Sequence, residues 1–285
     1  MRRPRIWPKS SPKRSKNSFI RQPVVAGVFY PEAKQPLGDL INQVLDPRRK
    51  KERVLAVIVP HGGMIDSGVV AGRVYSCIVW PRRAVVMGPT HTGREKRFNL
   101  MRKGSWETPL GRLQVDEELA EAISDQIPQM QEDLKAHEQE HAIEVQVPFL
   151  QKAGKMKSFV PILFEPADPA TAQQIGRGIA KAVRQMKEEV LLIATTDLTR
   201  YQSKEIAAGN DRHAIDQILA LDERRLLEAV EEHSLSMCGA TPTAVALSAA
   251  KNLEGSKGTL VDYRTSGVGG DEADSVIGFA GIIIQ

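Results

Sequence analysis

The chain is poor in cysteine and has no long apolar run, and each absence excludes a class of protein. Only Cys77 and Cys238 occur among 285 residues, which excludes a disulfide framework and favours a reducing compartment. No apolar run approaches the roughly 20 residues that cross a bilayer, and no apolar core follows the basic N-terminus as it does in a signal peptide. We therefore expect a soluble cytoplasmic protein without a membrane span.

Basic residues are concentrated near the N-terminus. Residues 1–21 contain eight of the 39 Lys and Arg residues and none of the 35 Asp and Glu residues. We interpret them as a basic, disordered tail, because charge runs of this kind are usually solvated. The remaining residues 22–285 have a small excess of acidic groups, so contact with nucleic acid or an anionic lipid surface is expected only through the tail.

The rest of the sequence alternates between strands and helices. Runs rich in Val, Ile and Leu predict buried strands, and apolar residues at helical spacing predict helices. Strands are predicted at 53–60, 83–89, 158–164, 189–197, 259–263 and 275–284, with helices at 117–127, 138–152, 169–187, 211–219, 222–232 and 241–252, and a polar, turn-rich stretch at 105–116. This order predicts one α/β domain with a mostly buried central sheet flanked by helices.

Three of the predicted strands end in a reactive side chain. His61 follows the first strand, His91 follows the second, and Asp197 ends the strand at 189–197. In open α/β sheets, ligands bind beyond the carboxyl ends of the strands, where several loops converge. We therefore expect these three side chains to share one site.

Cys238 immediately precedes a predicted helix, whereas Cys77 lies on the apolar stripe of one. A thiol at a helix N-terminus has a lowered pKa, which makes it available as a thiolate ligand or nucleophile. A small buried residue is the commoner role of cysteine. We assign that role to Cys77 and regard Cys238 as a candidate site residue.

The segment His137–His141 has the sequence HEQEH, which matches a zinc-protease motif. On a helix, His137 and His141 share a face and could hold zinc, with Glu138 or Glu140 as the base. In the alternative interpretation, His137 lies at the start of the helix, and His141 faces the same side as Glu144. We favour the alternative, since no zinc-protease continuation follows the motif.

Seven short blocks occur in the order and approximate spacing of one known family. They are RQPVVAGVFYP (21–31), PHGGMIDSG (60–68), GPTHTG (88–93), TPLG (108–111), EHAIEVQVPFLQ (140–151), TTDLTRY (195–201) and CGATP (238–242). With these blocks the chain resembles the Memo family, also named AmmeMemoRadiSam system protein B, over residues 21–285. The resemblance implies a fold like that of the class III extradiol ring-cleaving dioxygenases, an α/β sheet with helices on both faces.

The resemblance also implies a metal site. In the dioxygenases, two His and a carboxylate hold non-haem Fe(II), and in Memo-like proteins a Cys takes the carboxylate position. The matching residues here are His61, His91 and Cys238. Iron is the divalent metal that the resemblance favours, although two imidazoles and a thiolate also suit copper or zinc. The resemblance does not imply any particular small-molecule ligand.

Three positions depart from the family pattern. Met64 and Asp66 occupy positions where Tyr is frequent, and Arg200 occupies the position of a His. Since arginine cannot act as a general base, we assign Arg200 as a candidate anion clamp. His141 is then the expected proton carrier, and Asp197 is expected to orient a ligand or a bound water.

Three functions are consistent with these residues. The first is a metal-binding pocket, which in an enzyme would make the chain a non-haem metal-dependent oxidoreductase. The second is a non-catalytic binding or adaptor protein, because the resemblance associates the family with a radical-SAM protein and a further companion. The third is a zinc metallohydrolase that uses HEQEH.

Overall fold

The apolar segments assemble into one sheet. The computed structural model describes residues 19–93, 97–267 and 275–285, so most of the predicted tail lies outside the described residues. The strands in the described part are β1 (Ile20–Arg21), β2 (Ala56–Val59), β3 (Arg83–Pro89), β4 (Phe98–Leu100), β5 (Ser105–Thr108), β6 (Gly111–Val115), β7 (Gln131–Glu132), β8 (Ser158–Phe164), β9 (Val190–Thr195), β10 (Arg200–Gln202), β11 (Gly258–Thr265) and β12 (Val276–Ile284).

Helices connect these strands. They are α1 (Lys34–Val44), α2 (Ser67–Ser76), α3 (Glu117–Gln126), α4 (Leu134–Glu138), α5 (Val147–Phe149), α6 (Pro169–Gln185), α7 (Lys204–Leu219), α8 (Glu223–Glu232) and α9 (Ala240–Asn252). A 3-10 turn (Glu144–Gln146) precedes α5, and a π-helical turn (Leu150–Gly154) follows it. None of the described helices is long and apolar enough to cross a membrane.

The sheet has a parallel centre and an antiparallel edge. Its strand order is β1-β5-β6-β8-β3-β9-β2-β12-β10, with β11 also paired to β12 and β4 to β8. From β6 to β2 in this order, each strand runs parallel to the next, whereas β12 runs antiparallel to β2. Parallel centres need helical crossovers, which cover both faces of the sheet.

Both faces of the sheet are buried. Successive side chains of a strand point to opposite faces, so they enter different cores. In β2, Ala56 and Ile58 enter one apolar core, while Val57 and Val59 enter the other. The first core contains residues of α3, α6, α7, α8 and α9, and the second contains residues of α1, α2 and α5. The prediction of one α/β domain with a buried sheet and flanking helices is confirmed.

Two local predictions were wrong. The turn-rich stretch 105–116 contains the hairpin of β5 and β6, because Trp106, Leu113 and Val115 alternate into the second core. The helix predicted at 138–152 does not begin at 138. Instead, α4 ends at Glu138, and the Glu140 carboxylate accepts a hydrogen bond from the Ala142 amide at 2.9 Å, a local contact that competes with helical hydrogen bonding.

The last residues of the basic segment already belong to the fold. Ile20 and Arg21 pair in parallel with Ser105 and Trp106 of β5, and Arg21 is fully buried. Cys77 is buried at the end of α2, as predicted.

Candidate metal centre

The carboxyl ends of three adjacent parallel strands form the floor of the site. Strand β9 lies between β2 and β3, so His61, His91 and Asp197 emerge from neighbouring strands at the same edge. The ring centroids of the two histidines are 5.4 Å apart. The structure therefore brings these three side chains together at one edge of the sheet.

His61 is completely buried, and a hydrogen bond at Nδ1 holds its ring. Its Nδ1 lies 3.0 Å from Thr195 Oγ1, and its Nε2 lies 3.3 Å from Cys238 Sγ. Gln146, also fully buried, donates to Thr195 Oγ1 at 3.2 Å and to the Pro60 carbonyl at 2.8 Å. These contacts fix the ring plane and direct Nε2 towards the thiol.

His91 is held in the same manner by a carboxylate. Its Nδ1 lies 2.9 Å from Glu140 Oε1, and its backbone amide donates to Glu140 Oε2. Burial opposes a charge on His91, but its contacts with Cys238 and Glu140 outweigh burial and raise its pKa to about 9. Burial would raise the pKa of Glu140, but bonding to His91 dominates and lowers it to about 2. Glu140 is thus a fixed anion that holds His91 through Nδ1, so that the other ring nitrogen, Nε2, is directed towards Cys238.

Cys238 reaches the pocket from the start of α9. The next residue, Gly239, donates its amide to Thr196 Oγ1 at 2.9 Å, and a Cβ on Gly239 would lie 2.4 Å from the Thr195 carbonyl. Only glycine permits this approach. Burial alone would raise the pKa of the thiol, but the charge and hydrogen bond of His61 and the hydrogen bond of His91 lower it to about 5.

These three side chains form a group that could hold a metal ion. The candidate ligand atoms of His61, His91 and Cys238 all lie within 4.8 Å of one another. Imidazole nitrogens fixed through their second nitrogen, together with a thiolate, are an appropriate donor set for iron, copper or zinc. The donor set therefore fits a metal site of the kind that the family resemblance implied.

A second group, formed by His91, Glu140 and His141, also meets the 4.8 Å criterion. Its geometry is less suitable. The rings of His91 and His141 are stacked at 4.6 Å with planes 23° apart, so their nitrogen lone pairs lie side by side and do not converge. In addition, Glu140 already accepts bonds from His91 and Ala142.

Asp197 and Arg200 lie beside the group and are bonded to each other. Asp197 Oδ1 accepts the amides of His61 and Gly62 at 2.9 and 3.1 Å. Its Oδ2 accepts Arg200 Nη2 at 3.2 Å, and the same nitrogen lies 3.2 Å from Cys238 Sγ. Asp197 thereby supports the loop of His61, and Arg200 places a permanent positive charge against the thiol.

His141 faces the same pocket from the loop after α4. Its ring centroid lies 5.6 Å from that of His61 and 5.0 Å from that of Phe29. About a quarter of its side chain is exposed, and burial, the largest influence, lowers its pKa to about 4. The imidazole is therefore neutral at pH 7, with one ring nitrogen that can donate a hydrogen bond and one that can accept a hydrogen bond or a proton.

The zinc-protease interpretation of HEQEH was wrong. Because α4 ends at Glu138, the two histidines do not share a helix face. His137 is fully buried against Trp106, with 6.0 Å between ring centroids, whereas Glu138 faces solvent. Neither metal-capable group found among the described residues contains His137.

Three supporting residues were not predicted in that role. Glu140, Gln146 and Thr195 orient the two candidate histidine ligands, whereas the sequence pattern indicated Glu140 only as a possible base of a zinc protease. Glu140 and Gln146 both lie in the block EHAIEVQVPFLQ, and Thr195 lies in TTDLTRY, so the blocks themselves were the available indication. Of the positions that depart from the family pattern, Met64 is buried in the second core, and Asp66 is exposed before α2.

Comparison with known proteins identifies the family. The family profile described as Memo-like protein matches residues 21–283. The chain belongs to the Memo family. A MEMO1 family protein of Methanopyrus kandleri is 37% identical over 279 residues, covering 93% of this chain and 99% of that protein. Another, from Pyrobaculum aerophilum, is 35% identical and covers 93% of this chain and 98% of that protein.

The fold of this Memo-family chain also occurs at much lower sequence identity. The crystal structure of the uncharacterized protein JW3007 from Escherichia coli K12 superposes with a TM-score of 0.56 at 12% identity. The match covers 80% of this chain and 99% of that chain. At this identity the likeness concerns the fold alone.

Proposed function

We propose that this Memo-family protein binds a divalent metal ion through His61, His91 and Cys238. The observation that carries the proposal is the convergence of their ligand atoms within 4.8 Å at the carboxyl edge of the sheet. Each histidine is anchored through Nδ1, by Thr195 or by Glu140, which leaves both Nε2 atoms for the metal. Anchored histidines of this kind are typical of metal centres.

The resemblance to extradiol dioxygenases favours iron, and copper or zinc also suits the donor set. A bound iron or copper ion would supply redox chemistry and Lewis acidity, and zinc would supply Lewis acidity alone. The protein would provide the surrounding groups. His141, neutral at pH 7, is placed to carry a proton; Asp197 orients the loop of His61; and Arg200 neutralises part of the thiolate charge or holds an anionic group.

Elemental analysis of protein purified without added metal tests the proposal. We expect about one metal ion per chain in the wild type and less than about a tenth of that in His61→Ala, His91→Ala and Cys238→Ala, because two ligands hold a metal weakly. His213→Ala is the control, since His213 is exposed on α7. Equal, low metal in the wild type and all variants would eliminate the proposal.

A second candidate function is binding without catalysis, together with a radical-SAM protein and a further companion. The observation in its favour is Arg200, which replaces a proton-carrying residue and is bonded to both Asp197 and Cys238. An affinity purification that recovers such a partner, with no turnover of aromatic substrates, would support this function. Turnover of an aromatic substrate with no partner recovered would refute it and indicate a non-haem oxidoreductase.

A further inference from the structure

A cavity of about 710 Å³ opens beside the candidate metal centre. Two of the candidate ligands, His91 and Cys238, form part of its wall. The other walls come from the residues after β8, from α8 and from the start of α9. The volume is within the range of about 300–1,000 Å³ that is typical of small-molecule sites.

One wall of this cavity is apolar. Leu227 and Val230 lie three residues apart on α8, so they project from the same face of the helix. Both are only partly buried, although they pack against the first core, and buried Met237 and Phe164 also line the cavity. A ligand with an apolar body would cover this surface and remove it from water.

The remaining lining is acidic. Glu165, Asp168, Glu228 and Glu231 line the cavity, together with two basic residues, Arg224 and, next to the candidate metal centre, His91. Arg224 donates to Glu228 at 2.8 Å, so these two charges offset each other. Asp168 caps α6 by accepting the Thr171 amide. Within the described part of the chain, Glu165 and Glu231 have no ion-pair partner, and they leave the lining with more acidic than basic side chains.

We propose that this cavity binds an organic amine. Its apolar body would pack against Leu227 and Val230, and its ammonium group would pair with Glu165 and Glu231. The opposite end of the molecule would point towards His91 and Cys238. The same carboxylates disfavour ligands that carry a carboxylate or phosphate. Only the role of the metal-facing end rests on the proposed function; binding of the amine to the cavity does not require the metal.

Three probes that share a phenyl ring and differ in end-group charge test the proposal: 2-phenylethylamine, 2-phenylethanol and 3-phenylpropanoate. We expect calorimetric titration to show that the amine binds about tenfold more tightly than the alcohol, since two partly exposed ion pairs add only modestly to affinity. The propanoate should bind most weakly. Equal affinities, a preference for the propanoate, or no binding of any probe would overturn the proposal.

Substitutions in the cavity lining test which residues bind the probes and cause the preference for the amine. Glu165→Gln/Glu231→Gln should remove the preference for the amine over the alcohol, and Leu227→Asn should weaken binding of all three probes. The matched control is Glu232→Gln, next to Glu231 on α8 but not part of the cavity lining. An unchanged amine preference in the double variant would refute the assignment.

The metal proposal and the amine proposal can fail separately. His61 does not line the cavity, so His61→Ala should lose metal and keep the preference for the amine. If the wild type contains no metal but the amine preference is present, only the metal proposal fails. If metal is bound but the three probes bind alike, only the amine proposal fails.

Discussion

Two clusters of ionisable groups each include two residues of the segment 137–144, and they differ in their access to solvent. The inner cluster consists of Arg21, Tyr30, His137 and Glu144, all of which are buried. The outer cluster consists of His91, Glu140 and His141, in which both imidazole side chains are about a quarter exposed.

Every charge of the inner cluster is bonded to protein. Arg21 pairs with Glu144, donates to the carbonyls of His137 and Glu140 at 3.0 and 2.7 Å, and lies 4.4 Å from the Trp106 ring. The Tyr30 hydroxyl donates to Glu144 at 2.5 Å. In the outer cluster, by contrast, His91 Nε2 faces the pocket. The charged groups of the inner cluster therefore stabilise the fold through internal partners, whereas the outer cluster directs a ring nitrogen towards the candidate metal centre.

The largest effect is expected when the inner cluster is broken. Arg21→Met would leave the Glu144 carboxylate buried without its cation, at a cost of about 3–5 kcal/mol in the free energy of unfolding. Urea denaturation measures this loss. Arg48→Met, which removes an exposed pair with Asp46, should change it by less than about 1 kcal/mol. A loss below 1 kcal/mol for Arg21→Met would show that the inner pair is not structural.

Changing the outer cluster should reduce metal affinity. Glu140→Gln removes the anion that anchors His91 Nδ1, and loss of such a partner weakens metal binding by about 10–100-fold. Competition with a chromophoric chelator measures the change. Glu138→Gln, two residues away and exposed, is the control. Equal chelator competition by the wild type and Glu140→Gln would mean that Glu140 does not support a metal ligand.

The smallest effect is expected in the dependence of folding stability on pH. Burial, the main cause, and the nearby charge of Arg21 lower the pKa of His137 to about 3, so the folded protein binds a proton less readily than the unfolded chain. Stability should therefore fall as pH decreases below about 6.5, by about 2 kcal/mol at pH 5 from this residue alone.

His137→Leu should reduce that acid-dependent loss, and it also removes two ring nitrogens that have no hydrogen-bond partner among the described residues. Urea denaturation at pH 7 and pH 5 measures the difference between the two stabilities. His213→Gln, an exposed histidine of α7, should leave the difference unchanged. A His137→Leu protein as sensitive to acid as the wild type would contradict the assignment.

The sequence alone was enough to predict which side chains lie at the carboxyl edge of the three parallel strands. His61, His91 and Asp197 each follow an apolar run long enough to be a strand, and parallel strands end at one edge of a sheet. Cys238 was suggested by its place before a helix, but its role as a ligand came from the family resemblance. These predictions depend on local patterns and on one general rule of topology.

Contacts between residues far apart in sequence could not be predicted in the same way. Arg21 and Glu144 are 123 residues apart in sequence, and no local pattern indicates which distant charges will pair. HEQEH shows the opposite problem, since its spacing is meaningful only if the helix continues. The helix ends at Glu138 because the following carboxylate bonds to nearby backbone, and periodicity does not record that competition.

The long sequence separation between the candidate ligands has a consequence for biosynthesis. His61 and Cys238 are 177 residues apart, so a chain still emerging from the ribosome contains both candidate imidazole ligands well before Cys238 has been added. Their meeting requires β2, β9 and the start of α9 to be docked. We therefore expect the polypeptide to fold first and to acquire its ion afterwards, so that protein produced in metal-depleted cells should be loadable in the test tube without being unfolded.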